Sequence, residues 1–507
     1  MNPLSRMLTL HPQDNVAVAL ADISAGETDN IAGVKALQAV KQGHKIAVKP
    51  IAAGQNVLRY GQTIGQATAD IAAGEHVHVQ NLGMGEHTSD YAHATEAKLL
   101  LALPDVRTFN GYHRADRSVG TRNYLGILTS VNCSGSVAKF IAEAAEKSGL
   151  LDDFPNIDGI VPITHGTGCG MSGENEGYDT LFRTLSGYAQ HPNFGGILLI
   201  GLGCEVMQVS ALVAGRPIRA DGALRYMTIQ QEGGTRMTIE KGLAELRSIA
   251  EIANTATRQP APVSELMVGM QCGGSDGYSG ITANPALGVA SDLVVRHGGT
   301  TILSETSEIY GAEHLLTRRA ATVEVGEKLI DRVRWWEDYT ARNKGKMDNN
   351  PSPGNKRGGL TTILEKSLGA VAKSGSAPLT AVYLFAEKID KKGFVFMDSP
   401  GFDPCSVTGQ IASGANLIVF TTGRGSVSGY MPTPCIKIAT NSEMYARMSD
   451  DMDINCGDIV SDGVSLEEKG SEIFEMFIRI ASGEQTKSED LGFGGVEFVP
   501  WQIGAVM

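Results

Sequence analysis

Short, unbroken apolar runs that stop at a cysteine constrain this chain more than any other feature. They are Tyr124-Leu-Gly-Ile-Leu-Thr-Ser-Val-Asn into Cys133, Gly159-Ile-Val-Pro-Ile-Thr-His before Cys169, Gly196-Ile-Leu-Leu-Ile-Gly-Leu-Gly into Cys204, and Leu266-Met-Val-Gly-Met-Gln into Cys272. Runs of this length, bounded by Gly or polar residues, read as strands buried on both faces, the pattern of a parallel sheet. The ligand crevice of such a sheet lies outside the carboxyl ends of its strands. Four thiols placed there, beside His165, Glu205 and Asp276, suit iron, zinc or a cluster. Against this stands the reading of each cysteine as a small buried hydrophobe. No two cysteines form a CxxC pair, which argues against a zinc finger. Cys405, Cys435 and Cys456 lack the strand-end context and read as packing or surface residues.

A chain of 507 residues exceeds one core and implies several domains. Residues 1–82 carry short β-like pieces (Val16-Ala-Val-Ala-Leu, Lys45-Ile-Ala-Val, Asn56-Val-Leu, His76-Val-His-Val) between Gly turns such as Lys41-Gln-Gly-His44, and read as a small all-β domain. Residues 83–112 are polar and aperiodic, and read as a linker. From residue 113 strands alternate with helical stretches at Ser136 to Glu146, Tyr178 to Gln190 and Ile239 to Ala253, which predicts βαβ units around a parallel sheet. Thr255 to Pro262, holding two prolines, reads as a boundary, so 113–262 form a middle α/β domain. A further α/β domain over 263–507 has strands near Thr300, Ala381, Gly393 and Asn416, and a Pro- and Gly-rich loop from Arg342 to Gly359.

The net charge of −13 argues against nucleic acid or an anionic membrane as the main partner. An anionic small substrate stays open, since a few local cations overcome a distant field at short range. Met1 to Asn15 lack a signal-peptide core and no apolar run is long enough for a membrane span. The seven cysteines form no secreted framework, and a reducing cytoplasm is expected.

Three further segments offer chemistry. Gly168-x-Gly170-x-x-Gly173 formally matches a dinucleotide fingerprint. Against a nicotinamide cofactor, its loop carries His165 and Cys169, and the next strand ends in Cys204-Glu205 rather than in a ribose-binding acid. Arg424, on the Gly-flanked loop Thr421-Thr-Gly-Arg-Gly425, can hold a carboxylate in two-point contact. Asn355 and Lys356 are displayed by Asn350-Pro-Ser-Pro-Gly-Asn-Lys356, and Cys272-Gly-Gly-Ser-Asp276 offers backbone donors, Ser275 and an acid. Ser304, Glu305 and Glu308 are further candidates. His76 and His78 share one strand face, and read as surface histidines of an edge strand in preference to metal ligands.

These segments resemble the altronate and galactarate dehydratases of sugar-acid catabolism over almost the whole length. The resemblance rests on Asp14-Asn-Val-Ala-Val-Ala-Leu-Ala-Asp22, Gly74-Glu-His-Val-His78, Val119-Gly-Thr-Arg-Asn123, Gly201-Leu-Gly-Cys-Glu205, Gln271-Cys-Gly-Gly-Ser-Asp276, Ile281-Thr-Ala-Asn-Pro285, Asn350 to Lys356, Thr421 to Gly425 and Met452-Asp-Ile-Asn455. It implies an N-terminal β-clip (antifreeze-like) domain, a middle dimer-forming α/β domain and a C-terminal Rossmann-like variant. It also implies iron or another divalent metal such as Mn2+, and a homodimer or higher homo-oligomer. The His76-Val-His78 pair and the wording of the β domain are closer to the altronate branch, whereas Thr129-Ser-Val-Asn-Cys133 and Met270-Gln-Cys are closer to the galactarate branch.

The expected reaction is therefore dehydration of a sugar acid to a 2-keto-3-deoxy acid. Cys133, Cys169, Cys204 and Cys272 are expected to hold ferrous iron or an iron–sulfur cluster with an open position. Arg424, Lys356, Asn355 and Ser275 are expected to bind the substrate. His165 is expected as general acid or base, with Glu205 and Asp276 on the polyol or on His165. The alternatives are a nicotinamide-dependent oxidoreductase and a non-catalytic sugar-acid-binding protein.

Overall fold

The architecture is that of a computed structural model, which describes residues 6–29, 33–85, 90–214 and 223–506. The chain is a multidomain α/β protein with a β-rich N-terminal module. That module holds a four-stranded sheet in the order Met7–Leu8, Val16–Ala19, Lys45–Ala47, His76–Val77, with antiparallel pairing throughout. A second, three-stranded sheet joins Asn56–Arg59, Gln62–Ala67 and Leu82–Gly83.

The runs that end in cysteine are indeed strands, but of two different sheets. One is a four-stranded parallel sheet in the order Gly159–Ile163, Tyr124–Thr129, Phe194–Gly201, Leu224–Thr228. Tyr124–Thr129 is buried at all six positions, as an interior strand covered by helices on both faces requires. The other is a seven-stranded parallel sheet in the order Leu379–Tyr383, Gly393–Met397, Thr300–Leu303, Met267–Cys272, Leu417–Thr422, Cys435–Ala439, Ile454–Asn455. Its chain starts at the centre with Met267–Cys272, places Thr300–Leu303, Leu379–Tyr383 and Gly393–Met397 on one side, then returns to add Leu417–Thr422 on the other. The strand order thus reverses between Met267–Cys272 and Leu417–Thr422, where α/β sheets open a crevice.

Two expectations change. The end of the predicted linker, Thr108–His113, and the predicted boundary segment, Gln259–Pro262, are strands that pair antiparallel. Pro260 and Pro262 are tolerated because that strand is an edge, with no neighbour on its other side. The loop predicted from Arg342 to Gly359 contains a short helix, Pro353–Arg357. Its start is specified by Ser352 as N-cap in a capping box with Asn355, and by Pro353 in the first turn.

The N-terminal module docks on the seven-stranded domain through buried ions. Glu365 takes Lys45 Nζ at 2.9 Å and an Arg59 guanidinium nitrogen at 2.6 Å, and all three side chains are sealed from solvent. Lys45 and Arg59 also donate to Gly359 O and Gly277 O, at 2.7 Å each, so the ions carry further hydrogen bonds as burial demands. Beside them the backbones nearly touch, and a Cβ on Gly277 or Gly359 would overlap Gly43 O. The module's apolar residues Val16, Ile51, Ile64 and Leu82 belong to one core cluster with Val268, Leu303 and Leu417. Among the described residues no helix is long and apolar enough to cross a membrane.

Candidate active site

The docked module closes the crevice at the strand reversal into a cleft of about 710 Å³. Its floor comes from the loops after three neighbouring strands: Asp276 and Tyr278, then Gly423 and Arg424, then Asn441 and Glu443. The helix end Lys356–Gly358 forms one wall, and Asp22, Lys41, Gln42, Gly43, His44 and His78 of the module form the opposite one.

Five cations line this cleft in an acidic protein: Lys41, Lys356, Arg357, Arg424 and Arg447. Lys41 is paired with Asp22 at 2.7 Å, and Arg447 meets Glu443 at 4.0 Å. Among the described residues no ion pair engages Lys356, Arg357 or Arg424. Of the four predicted substrate-binding residues, Arg424 and Lys356 thus face the cleft. Asn355 and Ser275 do not line it. They are buried and bonded to each other, Asn355 Nδ2 donating to Ser275 O at 2.8 Å, and tie the Lys356 helix to the 272–276 loop.

Asp276 lines the cleft but is fully engaged. Thr440 Oγ1, Asn441 Nδ2, Ser279 Oγ and the amides of Tyr278 and Ser279 all donate to it at 2.9–3.1 Å. Burial pushes its carboxyl above the ordinary value while these donors pull it back. Asp276 therefore ties its own loop to the Thr440–Asn441 loop and has little capacity left for a substrate proton.

At the module's face the structure assembles a group that the sequence reading set aside. His44, His76 and His78 each offer a ring nitrogen, all within 4.8 Å of one another. His76 and His78 come from one strand and its turn, which Asn81 fixes by accepting from His78 N and donating to His76 O. His44 follows the Gly43 turn on the neighbouring strand, its Nδ1 3.0 Å from His76 Nε2 and its Nε2 3.2 Å from Arg357 O. Donation to that carbonyl leaves Nδ1 as the lone-pair nitrogen, the arrangement that orients metal-binding imidazoles. Burial pushes all three rings below the ordinary imidazole value, His76 to about 4 and His78 to about 3. The rings are neutral at neutral pH, the state in which imidazole binds a metal. His78 Nδ1 is buried without a hydrogen-bond partner among the described residues. The set fits a divalent ion with positions left open. The two-residue alternation of His76 and His78 was visible, but His44 pairs with them only through the sheet.

The predicted cysteine set divides. Cys133, Cys169 and Cys204 are exposed in the loops after three adjacent strands of the four-stranded sheet. Cys272 ends a strand of the other sheet and is buried, so the four do not form one site. Its sulfur lies 3.9 Å from both Glu305 and Glu308. Lys366 pairs with Glu308 at 2.6 Å and Lys373 lies 3.7 Å from Glu305. Burial raises the Cys272 thiol to about 11 and holds Glu305 well above the carboxylate range. Two lysines already balance this cluster and its thiol stays protonated, so the histidines are the better seat for a cation.

His165 and Glu205 are likewise not in the cleft. His165 is buried, with Nε2 donating to Thr129 O at 3.0 Å and Nδ1 accepting from Thr167 N at 3.3 Å. Burial lowers its basicity to about 4. With both nitrogens committed to backbone, it holds a loop rather than exchanging protons. Glu205 is buried and accepts from Ser130 Oγ at 2.7 Å and Gly203 N at 2.6 Å. The fingerprint of a dinucleotide site also fails in space. After Gly173 the helix begins only at Glu176, with Glu176 and Asp179 in its first turn, where a pyrophosphate would be repelled.

Residues 263–506 match the family described as D-galactarate/altronate dehydratase, C-terminal. Residues 111–254 match the second domain of D-galactarate dehydratase/altronate hydrolase, and residues 5–85 match the altronate/galactarate dehydratase SAF domain. Galactarate dehydratase (L-threo-forming) of Escherichia coli (strain K12) is 38% identical over 499 residues, covering 96% of this chain and 95% of its own. Altronate dehydratase of Bacillus subtilis (strain 168) is 35% identical over 496 residues, covering 97% and 98%. The (2R)-sulfolactate sulfo-lyase of Chromohalobacter salexigens matches through two separate chains. Its subunit beta is 33% identical over 389 residues (76% of this chain, 95% of the subunit), and its subunit alpha is 41% identical over 44 residues (9% and 47%).

Proposed function

The chain belongs to the D-galactarate/altronate dehydratase family, and from that premise we propose that it dehydrates a sugar acid held in the cleft between the N-terminal module and the seven-stranded domain. The proton leaves C2, hydroxide leaves C3, and the enol becomes a 2-keto-3-deoxy acid. The single observation that carries the placement is the convergence, at the strand reversal, of three cations that no ion pair engages among the described residues with a histidine trio whose His44 and His78 line the same cleft.

The physical obstacle is the C2 proton. It sits beside an ionised carboxylate, and its removal puts a second negative charge on the same group. Arg424, Arg357 and Lys356 meet that demand, because fixed cations in a partly closed site stabilise developing charge without reorganising. Arg424 and Arg357 can each hold a carboxylate by two parallel hydrogen bonds. A divalent cation at His44, His76 and His78, iron or manganese by the family resemblance, would supply a Lewis acid for the substrate's carboxylate or hydroxyl oxygens. Arg357 serves both groups, since its carbonyl orients His44 while its side chain lines the cleft. Lys41 lies beside Asp22 and Arg447 beside Glu443; the altronate-like wording of the β module favours an aldonate such as altronate.

The sulfo-lyase relative, named for a 2-hydroxy acid, divides its matching parts between two chains. A site assembled at a junction of separable pieces is consistent with that division. The test is an anaerobic assay of the purified protein with ferrous or manganous ion against a panel of hexonates and hexarates, with no nicotinamide added. Keto-acid formation from an aldonate is expected. Tight binding of sugar acids without any turnover would sink the proposal.

A further inference from the structure

We propose that Cys133, Cys169 and Cys204 form a three-thiolate site for an iron–sulfur cluster at the carboxyl edge of the four-stranded sheet, distinct from the histidine site in the cleft. None of the three lines that cleft. The first observation is topological. The chain leaves Tyr124–Thr129, adds Gly159–Ile163 on one side, then crosses to add Phe194–Gly201 on the other. The middle domain therefore has its own strand reversal, and each of the three strands around it delivers one cysteine just beyond its carboxyl end.

The second observation is that these three loops are built against one another. Asn132 N donates to Thr167 O at 2.9 Å, joining the Cys133 loop to the Cys169 loop. Met207 N donates to Gly168 O at 3.0 Å, joining the Cys169 loop to the Cys204 loop. Ser130 Oγ donates to Glu205, closing the ring from the third loop to the first. Gly168 lies so close to the first loop that a Cβ there would overlap Ser130 O, and its φ of +98° also favours glycine. His165 pins the middle loop through both ring nitrogens. Buried residues flank the thiols (Val131, Ser134, His165, Glu205, Met207), while the three cysteines themselves are exposed. A rigid frame thus presents sulfur outward at one edge, unlike cysteines that merely pack.

The chemistry of the set selects the ligand. Thiolates without imidazole favour soft iron–sulfur chemistry. The three sulfurs are not all within 4.8 Å of one another, as ligands of a single ion would be. Thiolates that each hold a different iron of a cluster stand further apart. The helix Gly135–Lys147 begins two residues after Cys133, so its positive end lies beside an anionic cluster. Three thiolates leave one iron of a four-iron cluster without a protein sulfur. Cys405, Cys435 and Cys456 are buried elsewhere, and Cys272 is in the other sheet.

The full-length protein should be reconstituted anaerobically with ferrous iron and sulfide, then analysed for iron and acid-labile sulfide per chain, visible absorption and the electron paramagnetic resonance of the reduced sample. Cys133→Ser, Cys169→Ser and Cys204→Ser should each lose sulfide and the visible band, with the thermal midpoints of the unreconstituted proteins unchanged because the thiols are exposed. Cys272→Ser and His76→Ala should keep both, which separates this proposal from the cleft assignment. Reconstitution should also shield these three thiols of the unmutated protein from alkylation, a readout that needs no variant to fold. No acid-labile sulfide retained after reconstitution, a cluster that survives Cys169→Ser, or equal alkylation before and after reconstitution would overturn the proposal.

Discussion

His44, His76 and His78 differ from ordinary surface histidines in how strongly burial opposes their protonation. Their basicity lies below the usual 6.5, at about 4 for His76 and about 3 for His78. Protons should therefore compete poorly for the site. From neutral pH into acid, metal affinity is expected to fall at a lower pH than ordinary imidazoles would set. A titration with manganous ion across that range checks this, and a steady loss from pH 7 downward would place the metal elsewhere. Loss of a metal ligand's outer partner costs about 10–100-fold, so His78→Ala, which deletes a ligand itself, should weaken binding by more than about 100-fold. Arg424→Ala removes a charge-assisted hold worth about 1.5–3 kcal/mol, which should lower kcat/KM by roughly 10–100-fold, whereas Asn355→Ala should act through stability as well.

At the scale of elements, two devices position these residues. The strand reversal gathers the loops that carry Asp276, Arg424 and Asn441, and the Glu365 ion triad sets the module against them. Two buried cations hold the Glu365 carboxyl at about 2, below its ordinary 4.5. Because its folded value is depressed, the stabilisation is present above about 4.5 and is lost as pH falls toward 2. The lowered histidines act with the same sign, drawing protons to the unfolded state as pH drops below 6.5. Docking should therefore weaken on acidification, readable as rising protease cleavage of the N-terminal module while the parallel sheets still resist. Glu365→Gln strands Lys45 and Arg59 in the interior and should cost about 3–5 kcal/mol, measured by urea unfolding at neutral pH.

For the whole molecule, the cleft requires both the module and the seven-stranded domain. Deleting residues 1–85 removes all three histidines, Lys41 and one wall, and should abolish turnover and metal binding in the cleft together. Near-normal kinetics in that variant would show that the module is a tether. The sequence by itself determined the strands, because an apolar run buried on both faces carries its own signature, and it picked out Arg424 and Lys356 as displayed charges, because a Gly- or Pro-bounded segment shows its charge locally. It also placed a cysteine after each of four strands. Only the tertiary structure decided that those strands belong to two sheets, since strand order depends on long-range pairing that no local pattern records. The same limit hid the histidine site: His44 lies 32 residues from His76, and their approach is fixed by antiparallel register. His165 shows the converse, for a residue type suited to proton transfer lost that role once burial and two backbone bonds claimed both of its nitrogens.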